Sequence, residues 1–191
     1  PGGQTMNPST QELLVAIDSV ACDKVIVLPN NGNIILAAEQ AGNLTKKQVL
    51  VVPSKTLPQG IAALLAFNYQ AGIEDNAAAM QEAVGQVQTL EITRAVRSVQ
   101  VNGLAVTAGQ LIGLIDDALT AADEDEAALV RALLERANAS DYEIVTVYYG
   151  QDVALERAEA LADSIRQAYP NLEVEVIDGG QPHYYYVISV E

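Results

Sequence analysis

The sequence predicts an α/β fold: two duplicated strand–helix–strand halves, each mainly parallel, with an antiparallel β module between them. Three observations carry this. Laid over itself at an offset of 118, the chain repeats, so that DKVIVLPNNG at 23–32 falls on DYEIVTVYYG at 141–150. Each copy is an apolar strand run, a polar turn with Gly, then a helix-period stretch. Between about 88 and 122 the helical spacing gives way to polar–apolar alternation and turn residues. Finally, Gly2-Gly3-Gln4 is echoed by Gly179-Gly180-Gln181, and only the second copy follows a strand run. A duplicated unit whose first copy lacks its leading strand reads as a piece of a larger polypeptide, with the chemistry expected on the missing part.

The boundaries that follow are 1–87 for the first half, 88–122 for the β module and 123–191 for the second half. Asn7-Pro8-Ser9-Thr10 offers capping side chains with Pro near the first helical position, and Leu13, Leu14 and Ile17 continue at helical spacing. Val25 to Leu28 is a continuous apolar run, as in a strand buried on both faces. Asn30 to Asn33 turns the chain into a helix that ends at Gly42. A strand over 49–52, a Pro-bounded turn over 53–58 and helices over 59–67 and 74–87 complete the first half. Residues 91–101 alternate, and Asn102-Gly103 is a strong two-residue hairpin signal. Asp116-Asp117 reads as a second hairpin turn between strands 111–115 and 118–121. Helix 124–137, strand 142–148, helix 152–169 and strands 172–177 and 184–190 form the second half. Its opening acids, Asp123-Glu124-Asp125-Glu126, suit the first turn of a helix.

Composition narrows the function. The 191 residues are half hydrophobic and carry a net charge of −15. Residues 1–100 hold 8 acids and 6 bases, whereas 101–191 hold 17 acids and 4 bases. Such a surface repels a polyphosphate backbone, so nucleic acid is excluded as a partner. No run reaches the roughly 18 apolar residues of a transmembrane segment, and a cytoplasmic location is expected. One cysteine, Cys22, and one histidine, His183, leave no disulfide framework and no cysteine- or histidine-rich metal site. Neither common glycine-rich nucleotide fingerprint occurs. No catalytic residue and no metal ligand is assigned.

In open parallel sheets, ligands bind beyond the carboxyl ends of the strands. Four segments are expected there, 2–7, 29–33, 53–59 and 179–184. They are rich in side-chain amides: Gln4, Asn7, Asn30, Asn31, Asn33, Gln59 and Gln181. Ser54 and Lys55 add a hydroxyl and a cation, and the helix starts after Asn33 and Pro58 offer N–H groups to an anion. These residues, with His183 and Tyr184, are the candidate ligand or partner contacts. The alternative is that Asn, Gly and Pro are there because turns require them. Seven of the eight tyrosines follow Asp141, and Tyr148, Tyr149 and Tyr184 to Tyr186 are candidate protein contacts.

The segments GGQTMNPSTQELLVAI, VIVLPNNGNIILAAEQA, VLVVPSKTLPQGIAALLAFN and GGQPHYYYVISVE resemble, in this order, the C-terminal region of fatty acid kinase A. That family is related to the dihydroxyacetone kinases and has been labelled "Dak phosphatase". The resemblance implies that ATP and magnesium lie on an N-terminal domain absent here, and that a middle domain is absent too. It implies that this region docks a DegV-type fatty-acid-binding protein whose acyl carboxylate is phosphorylated, and that its other partner is the rest of the parent kinase. His183 departs from the family, which holds a non-histidine, often apolar residue there. The competing reading is a small-molecule-binding α/β domain for a phosphorylated or carboxylated ligand.

Overall fold

The computed structural model describes residues 7–101 and 103–191. Its contacts divide the chain after Val87 into two compact units. The first contains helix α1 (Thr10–Ser19), strand β1 (Lys24–Val27), α2 (Ile35–Leu44), β2 (Gln48–Val51), α3 (Leu57–Leu65) and α4 (Ile73–Gly85). β1 and β2 pair in parallel from Lys24–Gln48 to Val27–Val51, with α2 as the crossover. Ser9 starts α1 with a capping box: its hydroxyl accepts from the Glu12 N–H (3.2 Å), and the Ser9 N–H donates to the Glu12 carboxylate (2.8 Å). Those bonds hold the Glu12 carboxyl below its ordinary range. At the other end of α1, the Lys47 ammonium donates to the carbonyls of Ile17 (2.9 Å), Asp18 (3.0 Å) and Val20, groups the helix leaves unpaired.

Val52, Ala63 and Met80 form the buried cluster of this unit, with Ile26, Leu28, Ala66, Ala77 and Val84 packed around it. Asn76, buried in α4, fixes the turn between α3 and α4. Its carbonyl accepts from the Asn68 N–H (2.7 Å), and its amide donates to the carbonyls of Asn68, Ala71 and Gly72 at 2.9 to 3.3 Å. A buried amide with both ends engaged defines a loop that few apolar contacts would hold.

The second unit contains β3 (Gln88–Arg94), β4 (Val99–Val101), β5 (Leu104–Val106), β6 (Leu111–Ile115), β7 (Ala118–Asp123), α5 (Glu126–Arg136), β8 (Ile144–Tyr149), α6 (Leu155–Ala168), β9 (Glu173–Asp178) and β10 (Tyr186–Val190). Six strands form one sheet in the order β7-β6-β3-β10-β8-β9. Leu90 and Ile92 of β3, Val145 and Val147 of β8, and Tyr186, Ile188 and Val190 of β10 point to one face. There they pack with Leu129, Val130, Leu133 and Leu134 of α5 and Ala158, Leu161, Ala162 and Ile165 of α6. Ile188 stands between Leu90 and Val147 in register, so the two-residue alternation of three strands converges on one core. Gly113 admits α5: a Cβ there would meet Leu133 Cδ1 at 2.4 Å.

The α/β class holds, and the sheet is mixed. Three expectations need correction. The second half is not mainly parallel: among the described residues β8 and β9 form the one parallel pair of the six-stranded sheet, because β10 returns antiparallel between β3 and β8. Residues 88–122 are not a module apart from 123–191. β3 lies mid-sheet beside β10, and β6 and β7 continue the same sheet. The alternating stretch 91–101 is two strands, broken where Ala95 exchanges backbone bonds with Gly109 and Gln110.

The repeat is real at the level of the unit. β1–α2–β2 and β8–α6–β9 are both parallel strand–helix–strand units. At the offset of 118, however, β1 falls on 142–145, two residues ahead of β8. Asp116 and Asp117 make the expected hairpin turn, both with positive φ (48° and 69°). Asn102 and the first Gly-Gly-Gln lie outside the described residues. The second Gly-Gly-Gln does follow a strand, β9.

Candidate functional site

The strand–helix–strand unit of residues 24–51 brings two of the amide-rich segments together. Beyond β1, Asn30 takes a left-handed backbone conformation (φ 53°), which Asn tolerates better than most residues. Beyond β2, the fully buried Ser54 hydroxyl donates to Asn30 Oδ1 (2.7 Å) and accepts from the Asn30 N–H (3.1 Å). The Asn30 amide rests on the first turn of α3, where a Cβ at Gly60 would meet Asn30 Oδ1 at 2.1 Å. Thr56 caps α3 by accepting from the Gln59 N–H (3.4 Å). The Gln59 side chain accepts from the Lys55 N–H (2.8 Å) and donates to the Val87 carbonyl (3.4 Å). Asn31 accepts from the Asn33 N–H (2.9 Å) and so caps the short turn over 32–34, with Asn33 exposed.

Asn30, Ser54, Lys55 and Gln59 therefore share one interlocked corner. Its polar groups are largely engaged with each other, and the exposed Lys55 ammonium is its charge. Pro58 has no N–H, and Thr56 takes that of Gln59, so the start of α3 presents few donors to an anion. Gln4 lies outside the described residues, and Asn7 is exposed on the segment before α1.

Gln181, His183 and Tyr184 belong to the second unit. The Gln181 amide donates to the Tyr148 carbonyl (3.0 Å), while the N–H groups of Gly179 and Gly180 donate to the Tyr149 carbonyl (3.0 and 3.2 Å). Gln181 thus secures the loop between β9 and β10 to the end of β8. His183 is exposed with φ 73°, and its carbonyl accepts from the Thr93 hydroxyl (2.6 Å). Its backbone holds the loop against β3. The Tyr184 hydroxyl is pushed far above its usual range by burial and by the negative charge of Glu91 and Asp117.

The tyrosines divide. Tyr186 is fully buried, and its hydroxyl donates to Glu126 Oε1 (2.9 Å); Arg157 pairs with the same carboxylate. Tyr149 packs against the helical core from the end of β8. Tyr185 lies between two guanidinium groups, Arg94 at 5.9 Å and Arg157 at 5.4 Å from its ring centre. The most exposed tyrosine is Tyr69, just beyond α3, which no pattern in the sequence singles out.

Glu91 is likewise inconspicuous in the sequence, one polar residue in an alternating strand. It is 8% exposed, one of its carboxylate oxygens lacks a hydrogen-bond partner among the described residues, and its pKa is pushed up to about 7. Burial is the main cause, with Asp117 and Asp116 of the neighbouring turn adding like charge. Alternation places Glu91 opposite the helical core. Nothing local in the sequence says that this second face is also shielded.

A strand–helix–strand unit with a polar corner beyond its strands, followed by a six-stranded mixed sheet backed by two helices, is the architecture of the DegV-type and dihydroxyacetone-kinase-like α/β proteins. The DegV family protein Cg2579 of Corynebacterium glutamicum superposes with a TM-score of 0.69 at 18% identity, over 96% of this chain and 83% of that one. The Streptococcus pneumoniae fatty acid kinase B3 protein, solved loaded with linoleic acid, gives 0.66 at 12% identity, over 96% and 76%. Dihydroxyacetone kinase of C. freundii, solved with AMP-PNP and magnesium, gives 0.64 at 12% identity, over 95% and 41%. At these identities the likeness shows the fold. The chain belongs to the FakA-like C-terminal family of fatty acid kinases, whose model matches residues 1–191. It is 42% identical to protein YloV of Bacillus subtilis and 40% identical to an uncharacterized protein of Staphylococcus aureus, in each case over 190 residues and the whole of this chain. It spans about a third of the length of these relatives, 34% and 35%. Among the described residues, no helix is long and apolar enough to cross a membrane.

Proposed function

We propose that this chain is the non-catalytic C-terminal docking domain of an ATP-dependent fatty acid kinase in the cytoplasm. It holds a DegV-type fatty-acid-binding protein while the acyl carboxylate is phosphorylated. ATP and magnesium are bound by the N-terminal domain of the parent chain, and the rest of that chain is the domain's second partner. The family match over all 191 residues carries this reading. The polar corner supports a non-catalytic role. Ser54 is engaged by Asn30, and Gln59 by Lys55 and Val87, so the nucleophile that the sequence offers there holds a turn in place.

The test is binding of this chain to a DegV-type protein loaded with a fatty acid, measured by surface plasmon resonance. Saturable binding supports the reading, and no binding up to about 0.1 mM, a free energy of roughly −5 kcal/mol, removes it. A second reading, a binder of a phosphorylated or carboxylated small molecule, rests on the exposed Lys55 beside the start of α3. Calorimetry with inorganic phosphate and with a short-chain carboxylate tests it. Heat of binding that Lys55→Ala abolishes would favour that alternative.

A further inference from the structure

Helix α3 buries Pro58, Gln59, Gly60 and Ala63 and turns its other side outward. On that outer side Leu57, Leu64 and Leu65 are 60%, 62% and 81% exposed, with the half-buried Ile61 among them. Positions 57, 61, 64 and 65 follow the spacing of a single helical stripe. Just past the helix, Phe67 (37% exposed) and Tyr69 (94%) stack edge to face with ring centres 5.1 Å apart. Together these side chains leave on the order of 600 Å² open, at the upper end of the largest apolar patch on ordinary monomers. From Thr56 to Ile73 no residue carries charge, in a protein with 35 charged side chains and a net −15.

We infer that this stripe pairs with the same stripe of a second copy of the chain, making an isologous dimer through α3. The spacing is self-complementary. Ile61 lies four residues from both Leu57 and Leu65, so antiparallel helices related by a two-fold axis through Ile61 set Leu57 of one copy against the partner's Leu65. The same axis brings Phe67 toward the partner's Lys55, a cation for its ring. Two such patches bury about 1,200 Å², the lower bound of specific interfaces, whereas one patch against an unrelated flat surface gains less from this symmetry. Charge points the same way. Residues 1–87 hold 7 acids and 4 bases, so this unit carries −3 of the −15, and the contact itself is neutral. Two acidic copies meet with least repulsion on such a face. A different acid-attracted partner would be met through basic contacts to the acidic second unit.

The experiment is light scattering after size exclusion, from about 1 to about 300 μM, bracketing the roughly micromolar affinity of a small interface. The wild-type mass should rise toward that of a dimer with concentration. Leu65→Glu should stay monomeric with an unchanged circular dichroism spectrum. Leu44→Glu, equally exposed on α2, should dimerise as the wild type does. In a Cys22→Ser background, Ile61→Cys should cross-link under oxidation into a covalent dimer, which decides the matter if Leu65→Glu fails to fold. A wild type monomeric throughout, a dimer indifferent to Leu65→Glu, a dimer lost equally in Leu44→Glu, or absence of the Ile61→Cys cross-link overturns the proposal. None of these outcomes bears on binding to the fatty-acid-carrying protein, which is measured separately.

Discussion

Glu91 is a carboxyl group that folding holds in its neutral form. It sits in β3 between Val187 and Leu114 across the ladder, with Asp116 and Asp117 at the adjoining turn and Tyr184 nearby. All its titratable neighbours are acids, and burial removes the water that would stabilise its charge. Its pKa rises from an ordinary 4.5 to about 7, so the unfolded chain releases this proton before the folded one does. Stability from this group is therefore fully present below about pH 4.5 and lost as pH rises through about 7. The loss amounts to about 3 kcal/mol. Glu91→Gln keeps the shape and removes the titration. In urea melts at pH 5 and pH 8, the variant should be less pH-sensitive than the wild type, and more stable at pH 8 by about 2 to 3 kcal/mol. Identical pH slopes for the two proteins would mean that Glu91 is solvated.

At the scale of elements, local chemistry sets most boundaries and distant pairing sets the architecture. Ser9 with Glu12, Asp116 with Asp117, and the 111–115 run are complete signals within a few residues, and α1, the second hairpin turn and β6 lie where those signals put them. The position of β3 beside β10 depends on a pairing of Gln88–Ile92 with Tyr186–Val190, nearly 100 residues away, and no local pattern encodes it. The polar corner was half legible. The amides were visible as turn residues, but that Ser54 engages Asn30 across 24 residues follows only from the register of β1 and β2. Gly113 shows how one residue fixes two elements. Gly113→Ala drives a methyl group against Leu133 of α5 and should cost about 2 kcal/mol in a urea melt. Combining it with Leu133→Ala should cost less than the two single changes summed, because the truncated side chain vacates the space the methyl needs. Strict additivity would show that α5 shifts to accommodate either change alone.

The whole molecule is two units with unequal means of support. In residues 1–87 the central cluster is Val52, Ala63 and Met80, and polar devices such as Asn76, Lys47 and the Asn30–Ser54 pair hold much of the rest. In residues 88–191 one continuous core runs from Leu90 through α5 and α6 to Val190. Apolar burial stabilises by about 25 cal/mol per Å², whereas a net hydrogen bond contributes about 1 kcal/mol, so the second unit has the deeper reserve. Opposing that reserve is charge: 18 acids and 6 bases give the second unit −12 against −3 for the first. Hydrogen exchange read by mass spectrometry should therefore find peptides covering β1 and β2 exchanging well before those covering β8 and β10. Raising salt from about 0.05 to 0.5 M shortens the screening length from roughly 14 to 4 Å, and protection should rise more in the second unit because the repulsion being screened lies there. Equal protection of the two units at low salt, and equal gains at high salt, would show instead that they open as a single cooperative body whose stability neither core decides alone.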